Sequence, residues 1–377
     1  MADRETEFVA KLAGGVAGLN SSDWDGLAGG HPLVGHAFLA ALEDSGSVGP
    51  GTGWTPAPIF IENDCGSLVA AAPAYLKSHS QGEYVFDHGW ADAWERAGGA
   101  YYPKLQIAVP FTPVPGPRLL GARPQQLLAA AETVTVQNDL SSAHITFVDQ
   151  AGAAECEGRG WLIRHGIQYH WANRGYGDFD DFLDSLTSRK RKAIRKERAS
   201  ARVGLEFRAL RGADIGRAEW DAMWRFYQDT GSRKWGRPYL TRAFFDRIGA
   251  TMGEQLLLLL ACRNGRPIAG ALNVLGPDAL YGRYWGSVEE VPFLHFELSY
   301  YQATEYAIDH RLGSVQAGAQ GEHKLGRGYE PVITKSAHFI AEGGFRSAVA
   351  DFLDREREAI KQEVAWAREA LPYRSSE

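Results

Sequence analysis

Three ionisable side chains stand together in Gly321-Glu322-His323-Lys324, with further glycines at 318 and 326. Glycine lets a backbone come close to a ligand, and histidine titrates near neutral pH. Glu322, His323 and Lys324 are therefore candidates to hold a substrate or move a proton, the alternative being an exposed polar turn. A second group, His295-Phe296-Glu297, opens a helical stretch. Helical spacing puts Glu297, Tyr301, Glu305 and Ile308 on one face. A carboxylate on such an apolar stripe is costly unless paired. Glu297 is thus either a general base and amine-binding group or the buried partner of an arginine such as Arg283. Arg283-Tyr284-Trp285 falls on the strand before this helix. Tyr284 could protonate a leaving group with Arg283 and Trp285 beside the substrate, or the aromatic pair could be ordinary core.

A different chemistry is written in Arg189-Lys190-Arg191-Lys192, continued by Arg195 and Lys196; residues 189–202 hold eight basic side chains in fourteen positions. On a helix these cover most faces. They suit the phosphates of a tRNA backbone or of coenzyme A, or else form a solvated helix paired with acidic neighbours. The basic-aromatic segments Arg233-Lys-Trp-Gly-Arg and Tyr101-Tyr-Pro-Lys could extend the patch.

The elements that position these groups read as two similar halves. In the first, a helix at 35–45 precedes strands at 58–62, 68–76, 83–86 and 104–109. A loop over 109–117 with prolines at 110, 113, 115 and 117 follows, then a helix from 124 and a strand at 144–148. In the second, helices at 179–186, 189–203, 219–228 and 241–248 lead into strands at 255–263, 267–275 and 279–285. Asn264-Gly265 has the composition of a type I′ turn between the first two strands. A long helix over 296–310, strands from 314 and 336, and a charged helix over 345–371 complete the chain. Meander, helix and returning strand, stated twice, predict an α+β protein of two tandem domains. The expected boundaries are a loose segment 1–30, domains 31–170 and 171–344, and a C-terminal helix 345–377.

Composition narrows the class. The chain has 377 residues, 45% apolar and 23% charged, with a net charge of −6. That is a soluble globular composition large enough for two cores, with no global attraction to nucleic acid and no DNA partner implied. No run approaches the ~20 apolar residues of a membrane span, and the polar, acidic start is unlike a secretory signal, so a cytoplasmic protein is expected. Cys65, Cys156 and Cys262 are odd in number and widely spaced, which predicts neither disulfides nor a metal site.

Segments spread over residues 30–370 resemble the FemAB-like N-acyltransferases of the N-acetyltransferase (GNAT) superfamily. In the first half they include Ala72-Pro-Ala-Tyr-Leu-Lys, Gly82-Glu-Tyr-Val-Phe-Asp and Val109-Pro-Phe-Thr-Pro-Val-Pro-Gly-Pro. In the second they include Ser188-Arg-Lys-Arg-Lys, Lys234-Trp-Gly-Arg-Pro-Tyr-Leu, Tyr281-Gly-Arg-Tyr-Trp-Gly and Gly318-Ala-Gln-Gly-Glu-His-Lys. The resemblance implies two tandem GNAT-like domains and acyl transfer to the amine of a small molecule or cell-wall precursor. Its donor is aminoacyl-tRNA or acyl-CoA, bound as a co-substrate with no tightly held cofactor. His88 follows Asp87 where the family suggests a bulkier aromatic, a departure that would reshape the acceptor pocket, and Asp87 is a candidate substrate-binding residue. Neither 109–117 nor 286–294 carries the Gly-rich pyrophosphate signature of acetyl-CoA enzymes, and proline has no N–H to offer a phosphate. This tilts the donor toward aminoacyl-tRNA. A non-catalytic ligand-binding protein of the same fold is the remaining alternative.

Overall fold

The computed structural model describes residues 9–374 except 236, 237 and 320, with the side chains of those residues except 231–235. The basic-aromatic segment 233–237 therefore lies outside the described side chains. The chain divides into two compact units. Unit 1 takes 1–166 and 334–359, and unit 2 takes 167–333 and 360–377. Where a boundary at 170/171 and a C-terminal helix separate from both domains were expected, the returning strand and the final helix contribute residues to both units.

Unit 1 begins with β1 (Ala10–Leu12), α1 (Ser21–Ala28) and α2 (His36–Asp44). Asn20 caps α1 by accepting from the Asp23 amide at 2.9 Å, so an ordered helix stands inside the segment expected to be loose. Strands β2 (Trp54–Pro56), β3 (Ile59–Glu62), β4 (Leu68–Ala72) and β5 (Ala74–Lys77) precede α3 (His88–Arg96). Then come β6 (Lys104–Ile107), β7 (Leu120–Gly121), α4 (Pro124–Gln137), β8 (Ser142–Val148), α5 (Gln150–Gly158) and β9 (Leu162–Ala172). Residues 83–86, expected as a strand, are irregular, and Tyr84 has φ 59°. Their carboxylate, Glu83, turns inward to a lysine instead of joining a ladder.

Unit 2 holds α6 (Phe179–Asp184), α7 (Ser188–Ala201), β10 (Glu206–Arg211), α8 (Arg217–Trp235) and α9 (Arg242–Met252). They are followed by β11 (Leu256–Arg263), β12 (Arg266–Leu275), β13 (Ala279–Ser287), α10 (Leu294–Phe296), α11 (Gln302–Asp309) and β14 (Ser314–Ala317). The chain closes with β15 (Glu330–Ile340) and α12 (Gly343–Glu369). Strand β11 is buried on both faces from Leu256 to Cys262, as a central strand must be. The turn into β12 has φ 52° at Asn264 and 73° at Gly265, the mirror-image geometry its composition predicted. Gly286 is required in β13, because a Cβ there would sit 2.0 Å from the Phe226 carbonyl oxygen of α8.

Each unit contains a parallel strand pair that could open as a fork. In unit 2, β10–β13 form an antiparallel meander, and β13 then runs parallel to β14. Opposite β12, Arg283 is the extra residue of a bulge between Gly282 and Tyr284. The parallel pairing covers only Ala279–Gly282 against Ser314–Ala317, so residues 283–287 have β12 on one side and, among the described residues, no strand on the other. In unit 1 the corresponding pair is β6 and β8, and its fork is filled. The proline loop enters it, with Gly116 and Phe147–Asp149 exchanging backbone hydrogen bonds of 3.0 Å. Arg118, 1% exposed, donates to the carbonyls of Thr146, Pro117 and Val114.

Candidate functional site

The unit 2 fork is bordered by the 3₁₀ turn Glu322–Arg327, which follows β14. Gly318 and Gly321 have φ of 73° and 121°, backbone that L side chains rarely adopt, and this directs the turn's side chains apart. Glu322 and His323 point to solvent, while Lys324 is fully buried. The Lys324 ammonium donates to the Gly318 carbonyl at 2.7 Å, its single partner among the described residues. With no carboxylate to hold its charge, burial pulls the amine down from the usual 10.5 to about 7. His170 on β9 feels burial and then this lysine, and falls to about 4. Its Nε2 lies 3.0 Å from Gln168 Oε1, and it is in register with Gln316 of β14. A buried amine that is neutral near pH 7 can take a proton from an incoming ammonium and give it to a leaving oxygen.

Aromatic rings connect this turn to β13. His323 Nε2 is 2.9 Å from the Tyr300 hydroxyl, whose pKa burial raises to about 12. His295 packs between Tyr300 and Trp285 at ring separations of 5.3 and 5.1 Å. Trp285 and His295 line a cavity of about 290 Å³ with Ser287, Glu289, Glu290 and Leu294. Of the two carboxylates of the loop after β13, Glu289 pairs with Arg263 at 2.6 Å. Tyr284 belongs elsewhere, its ring packed on Tyr227, Phe244 and Phe245, and Arg283 lies over the Tyr284 ring.

Glu297 has the paired role. It is fully buried and is held by Arg198 of α7 at 3.1 Å and by Arg202, which caps that helix, at 2.7 Å, rather than by Arg283. The Glu297 oxygens are taken up by the two guanidiniums, and Glu305 shares Arg198 at 2.6 Å. Residues 297–301 form a π-helical turn between α10 and α11, not the unbroken α-helix expected. The wider turn lets Gln302, five residues on, donate to Glu297 at 3.2 Å.

The inward face of α7 is Ile194, Arg198 and Ala201, at helical spacing. Arg191 pairs with Asp184 and Arg195 with Asp180, while Arg189, Lys190, Lys192 and Lys196 are exposed. Lys190 lies against the Glu322–Arg327 turn, close enough that a Cβ on Gly326 would be 3.1 Å from its Nζ. An exposed lysine thus stands against Gly326, two residues along the turn from the buried Lys324.

Asp87 is in unit 1, in a buried cluster that residue spacing did not reveal. Lys104 donates to Ser80 at 2.8 Å, Glu83 at 2.8 Å and Asp87 at 2.5 Å. Asp87 also accepts from the Tyr101 hydroxyl. Lys77 lies 3.6 Å above the Trp54 ring and 3.8 Å from Glu83. His144 and His338 share a hydrogen bond of 2.7 Å, and burial holds both far below the usual histidine range. Alternating Lys104 and Gln106, then Ser142, His144 and Thr146, mark one polar strand face, which was a legible signal. Asp87 is therefore committed to this internal network.

Among the described residues, no helix is long and apolar enough to cross a membrane, and no group of His, Cys, Asp or Glu could hold a metal ion. Two units, each with a meander and a parallel pair behind a helix, define a tandem GNAT-type protein. A family model for FemAB-like proteins, described as peptidoglycan biosynthesis/recognition, matches residues 15–375, and the chain belongs to that family. It is an acyltransferase. No curated protein matches the sequence. A solved structure of FemX is similar, with 12% identity and TM-score 0.52, covering 85% of this chain and 96% of that one. A conserved protein of unknown function from Bacteroides thetaiotaomicron has 11% identity and TM-score 0.52, covering 88% and 99%. A tandem GNAT protein from the clavulanic acid biosynthesis pathway has 12% identity and TM-score 0.46, covering 89% and 99%. At such identities the likeness concerns the fold.

Proposed function

We propose that unit 2 transfers an aminoacyl group from a tRNA donor to an amine of a small molecule or cell-wall precursor, with Lys324 as the proton carrier. The observation that carries this is the buried Lys324 amine, without a carboxylate, at the border of an open strand fork. The unpaired edge of β13 offers backbone groups to the donor's carbonyl and to the oxyanion that forms on attack. The acceptor nitrogen forms the new C–N bond and the ester C–O bond breaks. The proton leaves the acceptor for Lys324 and passes to the departing ribose oxygen. Exposed Lys190, Lys192 and Lys196 would meet the tRNA phosphates, and Trp285 and His295 would border the acyl group. The proline loop occupies the unit 1 fork, so unit 1 is assigned a supporting role. Because charged tRNA is cytoplasmic, the reaction is assigned to that compartment.

Acyl-CoA is the competing donor, since α7 is a small footprint for a tRNA; against it stands Glu290 beside the fork. Binding of the purified chain to bulk tRNA and to acyl-CoAs, at low and moderate salt, separates them. Salt-sensitive retention of tRNA with no CoA binding is expected. Tight CoA binding without tRNA retention would overturn the donor assignment.

A further inference from the structure

In the turn that carries Lys324, Lys324 and Leu325 are buried, Glu322 is exposed, and the His323 ring rests on Phe296 at 5.4 Å with its Nε2 2.9 Å from the Tyr300 hydroxyl. The charged clasp that ties it to α7 is Arg327, the turn's last residue. Its Nη1 donates to the His323 carbonyl at 2.7 Å, closing the turn on itself. Its Nε donates to the Tyr301 hydroxyl at 2.9 Å, at the end of the π-helical turn. Its Nη2 donates to Glu197 of α7 at 2.8 Å, and the Tyr301 hydroxyl donates to the same carboxylate. The guanidinium also lies 3.5 Å from the Phe296 ring centroid. Each of the three guanidinium nitrogens donates, and the side chain is only 10% exposed. Glu197 directly follows the exposed Lys196, so the clasp ends on the helix that would meet the phosphates.

We propose that Arg327 is a positioning residue: by tying the Glu322–Arg327 turn to Glu197 and Tyr301, it holds the Lys324 amine at the fork in register with phosphates laid along α7. Arg327 touches no reacting atom; it acts through the turn. The proposal rests on the function assigned to Lys324 above. Without the clasp, the turn is free to swing the amine toward water, and a displacement of about 1 Å at a reacting group lowers transfer about 100-fold.

The test uses the full chain as Arg327→Gln, Arg327→Lys, Glu197→Gln and Lys324→Met variants. The Lys324 amine is followed by competitive trace labelling with acetic anhydride and mass spectrometry from about pH 5 to about pH 10. Transfer is followed in a single turnover. In Arg327→Gln the labelling midpoint of Lys324 rises from near 7 toward the ordinary lysine range, transfer falls about 100-fold, and tRNA affinity changes less than about 2-fold. Glu197→Gln follows in the same direction, and Arg327→Lys recovers part of both readouts. A thermal melt like that of the parent shows that the variants fold, and should Arg327→Gln not fold, the Arg327→Lys and Glu197→Gln pair carries the comparison. An unchanged Lys324 labelling profile in the folded variants overturns the positioning role. Full transfer by Lys324→Met overturns the assigned function instead, whatever the labelling shows.

Discussion

Replacing Lys324 by methionine should stop transfer and at the same time stabilise unit 2. The amine is displaced from 10.5 to about 7 because it is buried without a counter-charge. Each pH unit of displacement corresponds to about 1.4 kcal/mol, so keeping it charged in the folded chain costs about 5 kcal/mol below pH 7. The sign is that of a lowered base. The unfolded chain binds the proton more tightly, so the wild-type protein gains stability as pH rises through 7 toward 10.5, and the penalty is complete below 7. Methionine has similar length and no charge. It forfeits the hydrogen bond to Gly318, leaving that carbonyl short of a partner at a cost of about 1–3 kcal/mol. The net expectation is a gain of about 3 kcal/mol at pH 6 that vanishes at about pH 9 and becomes a loss of about 2 kcal/mol above pH 10.5. Urea unfolding of both proteins at several pH values measures it. A Lys324→Met destabilised at pH 6, or a difference independent of pH, would refute the claim that Lys324 is buried without a compensating charge.

Transfer itself should rise about tenfold for each pH unit up to a midpoint near 7 and level off above it, because only the neutral Lys324 accepts a proton; a single-turnover pH profile reads this. Glu297→Ala should cost about 3–5 kcal/mol in denaturant unfolding, since Arg198 and Arg202 lose their buried partner. Unit 1 should lose stability as pH falls below 6.5. His31 is held at about 4 and His144 at about 3, so the unfolded chain takes up protons that the folded one refuses. The loss is about 3 kcal/mol for each histidine by pH 4.5, and thermal melts with His144→Gln should show a shallower decline. Neutralising Lys190, Lys192 and Lys196 together should reduce the slope of log affinity for tRNA against log salt by about 2, as followed by filter binding.

The fold was legible where local and long-range signals agree. The all-leucine stretch of β11, the Asn264-Gly265 turn and the basic α7 each carry their own periodicity or turn chemistry. What failed to read was set by tertiary contacts. Residues 83–86 have strand composition, yet Lys104 draws Glu83 inward and the backbone breaks. The helix after β13 is apolar at α-helical spacing, yet a π-turn sets Gln302 rather than Tyr301 against Glu297. The candidate site was half visible. Glycines at 318 and 321 pointed to the turn holding Lys324, but which of its three ionisable groups faces inward depends on backbone angles. Glu297 could be recognised as costly on its face; that Arg198 and Arg202 come from a helix some hundred residues earlier could not. Lys104, His144 and His338 meet only when the sheet of unit 1 forms.

The most direct measurement is single-turnover transfer from radiolabelled aminoacyl-tRNA to an amine acceptor, comparing the parent chain with Lys324→Met. The account predicts that label moves to the acceptor with the parent protein and that the variant, though folded and still binding tRNA, is slower by about 100-fold or more. Equal rates for the two proteins, or transfer from acyl-CoA but not from aminoacyl-tRNA, would contradict it.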